Sequence, residues 1–197
     1  MALDARAEDR IHLPRARVAA CVSRYHSELT GAMLASARRE LALSGIDADG
    51  MHVISVPGAF ELPLVARALA RRKDVDAVMC FGLVLKGETE HDRWVAEGCV
   101  HGLMQASLET DKPLLLGVLT CATLAQARSR ALPPELGGRQ DKGREVARAA
   151  VETLAALAAV RRAKPFQRES SAKKQPMTNK PRSSGKVARK ETSETKT

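Results

Sequence analysis

The chain has 197 residues, a formal net charge of +9, 44% hydrophobic residues and only 3% aromatics. No stretch approaches the roughly 18 consecutive apolar residues of a membrane span, and the acids in MALDARAEDR, with no apolar run beside them, argue against a secretory leader. The charge excess is local: from Arg161 onward twelve Lys/Arg face three Asp/Glu, so residues 1–160 hold twenty of each and are neutral, which confines any nucleic-acid argument to the tail.

Residues 1–16 read as a polar N-terminal arm, 17–160 as one domain, and 161–197 as a basic tail. The tail is rich in Lys, Arg, Ser, Thr and Pro, a composition expected to be disordered. Arg17–Val22 is a short apolar strand, followed by the loop Ser23-Arg24-Tyr25-His26. Ser27 is placed to cap a helix with Leu29, Met33, Ala37 and Leu41 on one face and Gly45 as its stop. Met51–Val56 is a second strand. It runs into Pro57-Gly58-Ala59-Phe60-Glu61-Leu62-Pro63, a rigid turn whose last proline suits the start of a helix reaching Arg72. Ala77–Leu85 is the third strand, and its apolar run stops at Lys86. Gly87 is expected to free the backbone for a sharp turn, and Thr89 with Asp92 to cap a helix from His91 to about Leu108. Pro113–Leu119 is the fourth strand. Thr123 and Gln126 form a capping box for a short helix ending near Ala131. A loop, Leu132–Asp141, precedes a last helix, Lys142–Val160, with Val146, Ala150, Thr153 and Leu157 on one face.

Four apolar strands alternating with helices predict an α/β fold: a parallel sheet covered on both sides. Right-handed crossovers and double winding make it a flavodoxin-like three-layer sandwich with a four-stranded parallel sheet, order 2-1-3-4. Its switch point lies between the first and third strands, so Tyr25-His26, the Pro57–Glu61 turn and Gly87–His91 border one crevice. The four cysteines form no C-x-x-C pair and read as buried, reduced thiols of a cytoplasmic protein. Their spacing with histidine fits no zinc pattern.

His91 is the best acid/base candidate, because imidazole titrates near neutrality and this one stands at a polar strand end. His12, His52 and His101 read as structural or solvated, with His26 intermediate. Neither G-x-x-x-x-G-K-[ST] nor G-x-G-x-x-G is present, which disfavours triphosphates and dinucleotides. Arg130 can hold a phosphate or be a solvated charge. Glu61 can accept from a polar ring or serve the helix dipole, and Phe60 can stack on a ring or join the core.

Three motifs, V-P-G-A-F-E-L-P, then G-L-V-L-K-G-E-T-E-H, then L-E-T-D-K-P-L-L-L-G-V-L-T, occur in this order across Arg17–Leu157. Together they resemble the lumazine synthase family of riboflavin biosynthesis. The resemblance implies condensation of 5-amino-6-(D-ribitylamino)uracil with 3,4-dihydroxy-2-butanone 4-phosphate, giving 6,7-dimethyl-8-ribityllumazine, phosphate and water, with no metal or organic cofactor. It also implies a homopentamer with sites between subunits. Tyr25 would stack on the pyrimidine. Ala59, Phe60 and Glu61 would bind its ring and ribityl chain, and Leu83, Val84 and Leu85 would offer it backbone groups. Glu88 and Thr89 would hold the phosphate. His91 would transfer protons, with Leu116 and the phosphate-binding Arg130 supplied by a neighbouring subunit. Lys142 would lie nearby and Glu145 would orient Arg130.

Several positions depart from the family pattern: His26 for asparagine, Leu116 for phenylalanine, Asp92 for an aromatic residue, and Cys121-Ala122 for a polar pair. The loop from Arg130 to Lys142 is longer than in shell-forming relatives, which implies a free pentamer rather than a sixty-subunit shell. Two other functions compete with the synthase. One is a non-catalytic flavin- or lumazine-binding paralogue, the other an oligomeric scaffold whose basic tails contact nucleic acid.

Overall fold

The computed structural model describes residues 10–163. The tail from residue 164 and the first nine residues of the arm, both subjects of the expectations above, lie outside it. The elements are β1 (Val18–Ser23), α1 (Ser27–Leu43), β2 (Val53–Val56), α2 (Leu62–Ala70), β3 (Ala77–Leu85), α3 (His91–Thr110), β4 (Leu114–Cys121), α4 (Leu124–Ala131) and α5 (Lys142–Arg162), with one 3-10 turn at Pro134–Leu136. The sheet is parallel throughout, in the order β2-β1-β3-β4, as the alternation of strands and helices predicts.

Both faces of the sheet are covered. One core packs Ala20, Met79 and Phe81 against Met33, Leu41, Ala127 and Val146 of α1, α4 and α5. The other packs Cys21, Val78, Cys80 and Val118 against Leu62, Ala66, Cys99 and Leu103 of α2 and α3. Neighbouring strand residues therefore serve opposite layers, and burial on both sides explains the near-continuous apolar run of β3. On α1 the four expected residues, Leu29, Met33, Ala37 and Leu41, are all buried.

Local chemistry departs from expectation at two helix starts, α1 and α3, and adds an unforeseen cap at a third. Ser27 lies inside α1. The capping position is His26, in left-handed backbone at φ 58°, without a side-chain cap. Helix α3 is capped at Glu90, not Thr89, and the Glu90 carbonyl accepts from Arg93 and Trp94 N–H. The Thr89 hydroxyl instead accepts from His91 N–H at 3.3 Å, and the Asp92 carboxylate reaches past it to Gly87 N–H at 3.4 Å. Gly87 itself does not adopt left-handed backbone. At α5, Asp141 is the cap, accepting from Arg144 N–H. The Thr123–Gln126 box forms as expected: the Thr123 hydroxyl accepts from Gln126 N–H at 3.2 Å, and the Gln126 amide accepts from Ala122 N–H at 3.0 Å.

The described part of the arm runs along α1. Leu13 N–H donates to the Ser44 carbonyl, and Arg10 pairs with Glu40.

Candidate active site

All four strands end on the same side, so the loops after them form one rim. The loops after β1 and β2 are tied together by backbone bonds from Arg24 N–H to the Val56 carbonyl and from Tyr25 N–H to the Pro57 carbonyl. Thr30 in α1 donates its buried hydroxyl to the Ser23 carbonyl and fixes the start of the Tyr25 loop. The Tyr25 ring then lies against Gly58: a Cβ there would stand 3.1 Å from Tyr25 Cδ2. Glu61 accepts from Gly58 N–H at 2.8 Å, closing the turn that presents Ala59 and Phe60. One Glu61 oxygen is thus committed to the loop, which makes Glu61 a staple of the rim. Ala59 is buried, whereas the Tyr25 and Phe60 rings are 68% and 61% exposed. Each ring therefore keeps a free surface for stacking.

The switch point opens between β1 and β3. The β1–β3 ladder ends at Val22–Phe81, whereas the β3–β4 ladder continues to Leu85–Cys121. Residues Gly82–Leu85 are therefore paired on one side only, and the edge facing β1 is left for a ligand. Leu83 is buried, and Val84 and Leu85 are half-buried in this overhang. Lys86 N–H donates to the Cys121 carbonyl and ends the strand.

Next comes the start of α3. Glu88, Thr89 and His91 are exposed. Among the described residues, no hydrogen bond uses the backbone N–H of Glu88 or Thr89. Free N–H groups at the positive end of a twenty-residue helix favour an anion. His91 is the first residue of that helix and directly follows the anion-favouring turn. An exposed histidine, unpaired backbone N–H groups and two exposed aromatic residues thus share one rim.

The structure does not bring Arg130 to His91 within one chain. Helix α4 packs in the layer with α1 and α5, and α3 in the opposite layer. Arg130 is exposed beside the end of β4, close enough that its charge opposes the upward push of burial on the Cys121 thiol. Leu116 is 43% exposed on the edge strand β4. Its strand position places it with Leu114 and Val118 on the α2/α3 side. Glu145 is held by Lys142 at 2.7 Å, so within the chain the partner it was expected to orient, Arg130, is replaced by that lysine.

Cys21 and Cys80 are opposite one another in β1 and β3 and pack with Cys99. Burial pushes their thiols up, Cys21 to about 12 and Cys99 to about 11, so they are uncharged packing groups at neutral pH. Among the described residues no group of three or more His, Cys, Asp or Glu is placed to hold a metal ion.

Two contacts escaped the sequence reading: Gly58 against Tyr25, and Gly98 of α3 against Phe60. The second had a visible signal, because Gly98 and Gly102 are one helical turn apart.

Residues 15–158 match the family model described as 6,7-dimethyl-8-ribityllumazine synthase. The chain is similar to a protein of that name from Thermus thermophilus, 44% identical over 147 residues, which covers 74% of this chain and 90% of the relative. A second, from Salinibacter ruber, is 42% identical over 137 residues, covering 69% and 85%. A third, 6,7-dimethyl-8-ribityllumazine synthase 1 from Caulobacter vibrioides, is 39% identical over 145 residues, covering 74% and 92%. The matched span takes in every strand and nearly all of the last helix, together with the whole rim from Tyr25 to Arg130. The chain belongs to the 6,7-dimethyl-8-ribityllumazine synthase family.

Proposed function

We propose that this protein condenses 5-amino-6-(D-ribitylamino)uracil with 3,4-dihydroxy-2-butanone 4-phosphate to give 6,7-dimethyl-8-ribityllumazine, phosphate and water. The observation that carries the reading is the β3 overhang at Gly82–Leu85, which lies between the Tyr25 and Phe60 rings and the free N–H groups before His91. The pyrimidine stacks on Tyr25 and meets Ala59, Phe60 and the free Glu61 oxygen. Backbone groups of Leu83, Val84 and Leu85 pair with its polar edge. The phosphate of the second substrate sits on the N–H groups of Glu88 and Thr89.

This placement turns a bimolecular reaction into one between held neighbours, which supplies much of the rate. The pyrimidine's amine attacks the ketone carbon. His91 moves the proton from nitrogen to oxygen, and water leaves to form the imine. Such transfers contribute about 10²- to 10⁴-fold. Phosphate departs against the α3 N-terminus as the neighbouring carbon loses its proton, the resulting enol becomes a ketone, and the ribityl-bearing nitrogen attacks that ketone and expels a second water to close the ring. Arg130 of a neighbouring subunit adds its guanidinium to the departing dianion, with that subunit's Leu116 covering the ring.

We assign the assembly as a homopentamer acting in the cytoplasm. Support for assembly comes from the apolar surface left open on α2, α3 and β4: Phe60, Leu64, Trp94, Val100, Met104, Leu108 and Leu116 are all exposed. Among the described residues no helix is long and apolar enough to cross a membrane.

Mixing both substrates tests the reading. Lumazine absorbance and released phosphate should rise together in equal amounts. Tight riboflavin binding without phosphate release would instead identify a flavin-binding paralogue.

A further inference from the structure

We propose that Gly98 is a positioning residue for the pyrimidine site: its missing side chain lets the Phe60 ring rest on α3 and sets the angle at which that ring meets the substrate. The inference rests on Phe60 contacting the pyrimidine, as proposed above.

Gly98 is the eighth residue of a twenty-residue helix. Glycine there costs helix stability relative to alanine, so local structure does not explain its presence. Tertiary packing does. A Cβ on Gly98 would stand 3.1 Å from Phe60 Cε2 and 3.6 Å from Cδ2. One turn on, a Cβ on Gly102 would stand 2.8 Å from Pro63 Cβ and 3.0 Å from Cγ. The two glycines form a flat seat into which the turn from Phe60 to Pro63 sinks. The halves of the seat differ in what they hold. Gly102 supports Pro63, which is half-buried at the start of α2. Gly98 supports Phe60, which is 61% exposed. The ring's inner edge is therefore set by the surface of α3, and its outer face is free for the ligand.

A methyl group at position 98 displaces the ring by a few tenths of an ångström, and a larger side chain by more. A misplacement of 1 Å caused by a substitution away from the reacting atoms can cost about 100-fold. Gly98→Ala should accordingly weaken pyrimidine binding about 3- to 5-fold, and Gly98→Leu about 30-fold.

Calorimetric titration of the full-length protein with 5-amino-6-(D-ribitylamino)uracil tests this, with steady-state kinetics and thermal melts alongside. The expected result for Gly98→Ala is a raised pyrimidine Kd and KM, an unchanged KM for the phosphorylated ketone, and a Tm equal to or above that of the parent. In a Phe60→Ala background the same substitution should have no further effect, because the ring it displaces is gone. An unchanged pyrimidine Kd in Gly98→Ala would overturn the inference. So would an equal loss with and without Phe60, or parallel losses for both substrates. A parent protein that binds the pyrimidine yet releases no phosphate would remove the catalytic reading while the Kd series still decides the role of Gly98. A parent that binds no pyrimidine would remove both.

Discussion

The two layers of helices finish their surfaces differently. On the α1/α4/α5 side buried polar groups find partners within the chain, with Arg38 Nε the exception among the described residues. The buried Ser36 hydroxyl donates to the Asp141 carboxylate at 2.7 Å, and the buried Glu40 accepts from Arg148 at 2.9 Å and pairs with Arg10. The large apolar residues exposed there, Leu43, Leu124, Leu136 and Val160, stand at or near the ends of their elements. On the α2/α3 side Arg67 pairs with Glu109 across the two helices at 3.1 Å, but a row of large apolar residues stays exposed. Val100, Met104 and Leu108 repeat at four-residue intervals along α3 and are exposed, with Trp94 and Phe60 at the crevice end. A contiguous apolar stripe of this kind needs a partner, whereas scattered single residues do not. The first layer shows only scattered apolar exposure, and the second carries the stripe that the proposed assembly would cover. The rim has the same asymmetry, with His91 in the second layer and Arg130 in the first.

Charging the two layers separately breaks this comparison most strongly. Met104→Glu combined with Leu108→Glu should reduce the particle to single chains by light scattering. Condensation should fall by about 100-fold or more, because each site loses the guanidinium supplied across the contact. Ala35→Glu, on the exposed side of α1, should change neither. A mass near that of a sixty-subunit shell for the parent would contradict the proposed free pentamer.

The next effect belongs to the first layer. Asp141→Ala removes a cap and leaves the buried Ser36 hydroxyl without its acceptor. It should cost about 2 kcal/mol in urea unfolding, with turnover at 25 °C retained. A loss of turnover at unchanged stability would show that the two layers are not separable in this way.

The thiols give the smallest and sharpest contrast. Cys21, Cys80 and Cys99 share the α2/α3 core, and Cys121 alone lies in the other core, beside Arg130. Burial raises the first three, so in the folded protein they stay protonated at pH values where unfolded thiols ionise. Their contribution to stability is whole below the ordinary value of 9.0 and is lost as pH rises from there towards about 12. A thiol reagent at pH 8 should therefore modify Cys121 first and the other three only on unfolding. Mass mapping of the modified cysteines checks the order, and early labelling of Cys80 would contradict it.

Much of this was legible in the sequence wherever the cause is local. The apolar run of β3 matches its residues at both ends, and the Thr123–Gln126 box needs only a hydroxyl and an amide three residues apart. Strand alternation placed Tyr25, the Pro57–Glu61 turn and His91 on one rim, because parallel strands all end on the same side. The start of α3 was harder. Thr89, Glu90 and Asp92 are all competent caps, and the choice among them depends on where Gly87 N–H lies after the chain leaves β3. Asp141 reads in sequence as the end of a loop, but it caps α5 and reaches Ser36, which lies 105 residues away in the chain. The seat of Phe60 depends on how closely α2 approaches α3, a distance that no local pattern encodes. The proposed site draws Arg130 from a second chain, and one chain's sequence alone cannot tell such a residue from a solvated charge.

The direct test of the central claim is subunit complementation. His91→Ala and Arg130→Ala should each be nearly inactive when assembled alone. Unfolded together in equal amounts and reassembled, they should recover about a quarter of the parent rate, because random neighbours restore both wild-type groups at one contact in four. Mixed assemblies no more active than the sum of the two variants would contradict a site shared between subunits.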